Sequence, residues 1–194
     1  MATFQERSIS AFRGKLTGGG ARSNLFEVDI TFPTSVGPDN VRDEKVNFLC
    51  KAAEIPASNL GNIPVPYRGR VLPVAGDRTF DPWTVTIIND TDFLIRDAME
   101  KWSNSINDIQ TAQGSINPEV YQKSARVFQK TRQGEGPGDT ERDLRIYKFE
   151  GIYPNVVSSI PLDFGATDQI EEFQVTFNYL FYEVQTAGGL TLND

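Results

Sequence analysis

The sequence predicts a mainly β fold: an antiparallel β-sandwich or barrel with one packed α-helix over about residues 91–108 and a short N-terminal helix. Three observations carry that reading. Apolar and polar residues alternate in several runs, as where Phe26, Val28, Ile30 and Phe32 interleave with Glu27, Asp29 and Thr31, which is the period of a strand with one buried face. Only one long stretch keeps helical spacing, with Ile95, Ala98, Trp102 and Ile106 in a stripe and Leu94 and Met99 at its margin. Clusters of Gly, Pro, Asn and Asp separate the runs, as turns between strands do.

Taken in order, Ile9, Phe12 and Leu16 fall at helical spacing and predict a helix over about residues 3–16, closed by Gly18-Gly19-Gly20. The strand of Phe26 to Phe32 follows. Pro33 to Glu44 has turn chemistry throughout and predicts an exposed loop or hairpin tip. Val46, Phe48, Cys50 and Ala52 predict a second alternating strand. Pro56, Pro64, Pro66 and Pro73 place the next strands at sheet edges or interrupt them, because proline donates no ladder hydrogen bond. Arg70 to Ala75 reads as a strand and Gly76-Asp77-Arg78 as a turn with a charged tip. Thr79 to Asn89 reads as a strand with Trp83, Val85 and Ile87 on one face. Asp90 or Thr91 caps the long helix, and Asp92 suits the positive end of its dipole. After a polar loop over 107–118, Val120 to Lys130 and Leu144 to Glu150 read as strands joined by the Gly-rich, charged loop 131–143. Val156 to Phe164 reads as a short strand. Ile170 to Glu183 closes the sheet, with Phe173, Val175, Phe177, Tyr179 and Phe181 on one face. The whole, 1–194, is expected to be one domain, with residues 1–23 as an N-terminal arm and 184–194 as a C-terminal tail.

A chain of 194 residues buries roughly 70% of its unfolded surface and needs no covalent staple. No apolar run approaches the ~20 residues that cross a bilayer, and the N-terminal stretch lacks the apolar core of a secretory signal. The single cysteine, Cys50, has no partner for an internal disulfide and fits a reducing compartment. The formal net charge of −7 argues against binding to nucleic acid, which relies on Lys and Arg displacing counterions.

No histidine is present, which removes Ser-His-Asp and Cys-His nucleophiles and the commonest zinc ligand. The glycine clusters at 18–20 and 134–138 match neither a phosphate loop nor a dinucleotide fingerprint. Asp77, Asp81, Asp90 and Asp92 lie close in sequence, yet each sits at a turn, beside a proline or at a helix start. Nothing sets two of them across a cleft as carboxylate catalysis needs. Asp90-Thr91-Asp92 lacks the Gly and distal Glu of a calcium loop. Trp83 and Trp102 form either a sugar-stacking pair or part of the core. Each is in line with the apolar face of its element, which favours core, together with Phe173 and Phe177. No catalytic residue, cofactor site or metal site is expected.

Longer motifs add a resemblance. The chain carries Asn24-Leu25-Phe26 through Ile30, Lys51-Ala52-Ala53-Glu54-Ile55-Pro56 and Ile63-Pro64-Val65, then the block from Val74 through Thr86, VAGDRTFDPWTVT. Downstream come Tyr121-Gln122-Lys123-Ser124-Ala125, Gly151-Ile152-Tyr153-Pro154, Leu162-Asp163-Phe164 and Ile170 to Tyr182. In these stretches it resembles the tail tube proteins of T4-like contractile-tailed phages, the inner-tube family of contractile injection systems. Tyr153 and Phe164 stand where the family pattern has tryptophan, and the loops at 33–44 and 131–143 are longer.

The resemblance implies a virion structural protein, not an enzyme, assembled in the host bacterial cytoplasm. It implies hexameric rings stacked into a hollow tube, with strands from six subunits lining the bore. It also implies a sheath that contracts around the tube, a baseplate or tube initiator, a tape-measure protein and a tail terminator. DNA passes in transit without being specifically bound. On that reading Glu27 and Asp29 are candidates for an acidic lumen. Asp77 and Arg78, with Thr79 and Phe80, are candidates for a subunit interface, the alternative being a local salt bridge at a turn. Rival readings are the inner tube of a phage-tail-like bacteriocin or type VI-like secretion system, and a monomeric carbohydrate-binding β-sandwich.

Overall fold

The structure, a computed structural model, describes residues 8–16, 20–37, 40–131 and 143–186. Its elements in chain order are α1 (Ile9–Lys15), β1 (Phe26–Ile30), α2 (Asn40–Leu49), β2 (Cys50–Ala53), β3 (Asn59–Tyr67), β4 (Arg70–Thr79), β5 (Trp83–Ile88), α3 (Leu94–Ile106), α4 (Pro118–Tyr121), β6 (Lys123–Lys130), β7 (Asp143–Val157), β8 (Glu172–Asn178) and β9 (Phe181–Thr186). The expected mainly antiparallel β architecture with a packed helix is present.

The principal sheet has the order β1-β6-β7-β8-β5-β2, with β9 also on β7, while β3 and β4 form a separate two-stranded sheet. β7 is the hinge of the design. Its first half, through Glu150, pairs with β6 on one side and β9 on the other, and its second half pairs with β8. Between the halves stands Gly151, in the left-handed region at φ 68°, where only glycine sits without strain. Opposite, Leu180 donates its backbone N–H to the Glu150 carbonyl at 2.9 Å. At this corner the sheet folds back on itself and both strands change the parity that faces inward. Tyr147 and Phe149 point to the core before it and Ile152 after it.

The folded sheet encloses one apolar cluster. Trp83 of β5 stacks on Phe149 of β7 at 4.5 Å and 20°, and lies 5.6 Å from Phe177. Trp102 of α3 closes the cluster against Phe32 at 5.7 Å and Phe177 at 6.1 Å. Both indoles are buried with their N–H groups satisfied: Trp83 donates to the Glu54 carbonyl at 2.9 Å and Trp102 to the Tyr121 carbonyl at 2.8 Å.

Several expectations are corrected. Residues 40–49 are helix, where a loop and then a strand were expected. Val46 and Cys50 are both buried, an i, i+4 pair that satisfies helical spacing as readily as alternation, while Phe48 is 84% exposed. The loop before α2 is anchored by buried Arg42, whose Nη1 donates to the Gly37 carbonyl at 2.9 Å and whose guanidinium lies 4.2 Å from the Phe32 ring centre. Gly76-Asp77-Arg78 is no turn but part of β4. The strand from Val156 stops at Val157, and 158–171 contains no strand, since Pro161 and Gly165 interrupt it.

The expected strand 170–183 is split by the corner, so Phe173, Val175 and Phe177 are buried while Phe181 turns outward. Residues 184–186 belong to β9, not to a tail. α3 begins later than expected, after Phe93, which is left-handed at φ 55° and makes no side-chain cap. Asp92 instead accepts from the Leu94 N–H at 3.1 Å, and Met99 is fully buried, not marginal. The expected closing glycines 18–19 and most of the loop 131–143 lie outside the described residues.

Candidate assembly surfaces

The unusual element is the β3–β4 hairpin. Its turn is Arg68-Gly69, with φ of 47° and 80°, the two successive left-handed residues of a two-residue hairpin turn whose twist matches its strands. From that turn the register runs Tyr67↔Arg70, Val65↔Leu72 and Ile63↔Val74, with Pro66↔Val71 and Pro64↔Pro73 on the alternate positions. One face therefore carries Ile63, Val65, Tyr67, Leu72 and Val74, and the other carries Pro64, Pro66, Val71 and Pro73. Both faces are apolar, and neither strand has a buried residue. A two-stranded hairpin is marginal alone in water, and so large an apolar surface marks an association site.

At the hairpin's root stand the predicted interface residues. Asp77, Arg78 and Thr79 close β4 in exposed positions, and Arg78 Nη1 donates to Ser58 Oγ at 2.7 Å. No local salt bridge between Asp77 and Arg78 is formed among the described residues. Phe80 turns back to the body, 5.7 Å from Tyr179 and 5.9 Å from Tyr182. The other clustered acids have structural occupations: Asp81 accepts from Asn59, and Asp90 and Asp92 both grip Lys45, tying α2 to the loop before α3.

The second surface is the outer face of the β1-β6-β7-β9 half of the sheet. Val28 and Ile30 face the core, so Glu27 and Asp29 face away, beside outward residues of the neighbouring strands. One cross-strand row reads Asp29, Arg126, Lys148, Glu183. Glu27 pairs with Lys130, and Lys148 with Glu150. The sheet-level alternation of strand direction leaves β1 and β9, its two edges, antiparallel to each other, and among the described residues no further strand covers either edge. A third apolar surface is α1, capped by Ser8 Oγ, which accepts from the Ala11 N–H at 3.2 Å. Ile9, Phe12 and Leu16 of its stripe all lie exposed.

The interface candidates drawn from the sequence, Asp77 to Phe80, stand at the root of the hairpin, and the sequence analysis named none at its tip. The signal was available: Tyr67-Arg68-Gly69-Arg70 stands between two apolar runs of matching length.

Comparison with known proteins agrees with this architecture. A family model described as phage tail tube protein matches residues 21–185. The chain is 33% identical over 171 residues to the tail tube protein of Enterobacteria phage T4, covering 86% of this chain and 93% of that one. It is 29% identical over 175 residues to the tail tube protein of Serratia phage KSP90, covering 89% and 94%. Among solved structures, it is similar to a chain of the anti-feeding prophage baseplate, with a TM-score of 0.60 at 10% identity over 87% of this chain and 97% of that one. It is also similar to a chain of the sheath–tube complex of an extracellular contractile injection system, with a TM-score of 0.52 at 12% identity over 92% and 98%. The fold is thus one that occurs in contractile injection assemblies. Within that class, the chain belongs to the phage tail tube protein family.

Proposed function

We propose that the chain is one tail-tube domain whose copies form hexameric rings, stacked into the hollow inner tube of a contractile phage tail. The observation that carries this reading is the β3–β4 hairpin, apolar on both faces and uncovered among the described residues. Each Val, Leu or Ile that a neighbouring copy covers contributes about 1.5–3 kcal/mol. The open edges of β1 and β9 supply the second element. A neighbour's β1 laid beside β9 continues an all-antiparallel sheet from copy to copy, and a head-to-tail contact that closes by rotation makes a ring.

In this reading the face bearing Glu27 and Asp29 is the tube's inner wall. Duplex DNA carries one charge per ~1.7 Å, and a wall of free cations would hold it. Here the cations Arg126, Lys130 and Lys148 are interleaved with carboxylates, so the genome slides past without being gripped. The role is structural and involves no bond-making chemistry. The partners are a sheath that contracts outside the tube, a baseplate or tube initiator, a tape-measure protein, a terminator and DNA in transit. The site of action is the virion tail, after assembly in the host bacterial cytoplasm. The 33% identity to a phage T4 tail tube protein favours this over a bacteriocin or secretion tube.

Electron microscopy of the purified protein at rising concentration, with sizing of the same sample, tests the reading. Six-membered rings or hollow tubes of uniform width are the expected outcome. A monomer at every concentration, also when seeded with sheared tail baseplates, would refute it.

A further inference from the structure

The hairpin and its complement lie at opposite ends of the same molecule. β4 runs into β5 through Phe80, so the hairpin leaves from the Trp83 end of β5. At the other end of β5, Ile88 pairs with Glu172, and Asn89 donates its N–H to the Glu171 carbonyl at 2.8 Å. Residues 158–171 therefore sit at the end remote from the hairpin. A strand of nine residues, Asn59–Tyr67, is roughly 30 Å long, so its tip stands well clear of the body from which it springs.

The two ends have complementary chemistry. The hairpin tip is basic, with Arg68 and Arg70 on either side of Gly69. Arg68 lies 5.3 Å from the Tyr67 ring centre, and among the described residues neither arginine has a carboxylate within ion-pair distance. The 158–171 segment is apolar and acidic. Leu162 is 82% exposed, Ile170 is 71% exposed, and Phe164 is fully exposed. A cleft of about 560 Å³ is lined there by Ile160, Pro161, Leu162, Asp163, Ile170 and Glu171, among others. The Asp163 carboxylate accepts from the Gly165 N–H at 2.9 Å, and among the described residues neither it nor Asp168 meets a cation.

We infer that the basic, aromatic tip of one copy's hairpin seats in the 158–171 cleft of a second copy stacked end to end with it. Arg68 and Arg70 then face Asp163 and Asp168, and Tyr67 covers Leu162 and Ile170. The contact joins different surfaces of the two copies, and because those surfaces lie at opposite ends of the molecule it repeats from copy to copy along the strand direction instead of closing. It explains why each end keeps unpaired charge of opposite sign beside bare apolar side chains. This inference rests on the self-assembly proposed above and assigns the surfaces that make the longitudinal contact.

The test is a chain carrying both Arg68→Cys and Asp168→Cys, assembled and then oxidised. The native thiol, Cys50, is buried and does not interfere. A disulfide-linked ladder of many copies is expected from the double variant, and dimers at most from either single variant. Charge reversal supplies the second arm. Arg68→Glu with Arg70→Glu raises the concentration needed for assembly on the order of tenfold, and adding Asp163→Arg with Asp168→Arg to that chain restores it at unchanged net charge. Tubes of the double-cysteine chain that yield no ladder would overturn this contact while leaving the tube reading in place. So would normal assembly of the reversed-charge hairpin. Failure of the unmodified protein to assemble would overturn both.

Discussion

Trp83 shows how much a single side chain carries. It joins the two halves of the folded sheet by stacking on Phe149 and satisfies its N–H on the Glu54 carbonyl. Trp83→Ala leaves a large void between the halves, and chemical denaturation should show a loss of about 3–5 kcal/mol. Lys45 acts differently, as a charged clip whose effect depends on pH. Its side-chain hydrogen bonds to Asp90 and then Asp92 raise its pKa above 10.5 and hold both aspartates below 3.8. The aspartates' contribution is present above their ordinary pKa and is lost as pH falls through the lowered values. The lysine's contribution is full below its ordinary pKa and is lost as pH climbs through the raised value. The melting temperature of the unmodified protein should therefore exceed that of Lys45→Met between about pH 5 and 9, and the two curves should converge in strong acid and strong base. The Cys50 thiol is pushed up to about 12 by burial, which leaves it protonated and inert while the fold is intact.

At the scale of elements, glycines at two places, the sheet corner and the hairpin root, divide the labour. Gly151 makes the corner that folds the sheet. A Cβ there would approach Leu180 Cγ to 2.6 Å in a left-handed backbone, so Gly151→Ala should cost more than about 1 kcal/mol, read as a lowered denaturation midpoint. Gly61 and Gly76 bring the hairpin strands together at the root, where a Cβ on Gly76 would lie 3.1 Å from the Gly61 carbonyl carbon. Deleting 62–75 joins these two residues directly. Because β3 and β4 contribute nothing to the core, the shortened protein should keep its monomer melting temperature and lose tube formation, checked by sedimentation.

The same elements show what is legible in a sequence. The mainly β class and the long helix are readable because β1, β5 and α3 each keep one period from end to end. The strand through Ile170 to Glu183 is not readable as two elements. The corner at Gly151 and Leu180 inverts inward parity in mid-run, and aromatic residues stand on both sides of it. The helix at 40–49 is hidden because Val46 and Cys50 fit both periods. The hairpin tip is hidden because apolar residues on both faces, prolines with Val71 on one and Ile63, Val65, Leu72 and Val74 on the other, erase the alternation that marks a strand with one wet side. The proposed tube gives that erasure a reason, since a strand apolar on both faces suits a place that a partner covers.

For the whole molecule, the balance of surfaces argues that the isolated chain is an incomplete state. A subunit that ends its business alone hides its apolar strands and blunts its edges with charge or proline. Here, among the described residues, β1 and β9 lie open, the hairpin bares apolar residues on both faces, and α1 turns its stripe to solvent. In the proposed assembly the sheet edges make the lateral contacts of a ring and the hairpin makes the longitudinal contacts between rings. In the proposed tube the paired charges on the face of Glu27 and Asp29 line the bore.

A cryo-electron microscopy reconstruction of the assembled protein tests this account most directly. It should show a hollow six-fold tube, with the β3–β4 hairpin of each copy covered on both faces by neighbours and Glu27 and Asp29 exposed to the bore. A solid filament, or a tube in which the hairpin projects bare into solvent, would contradict it.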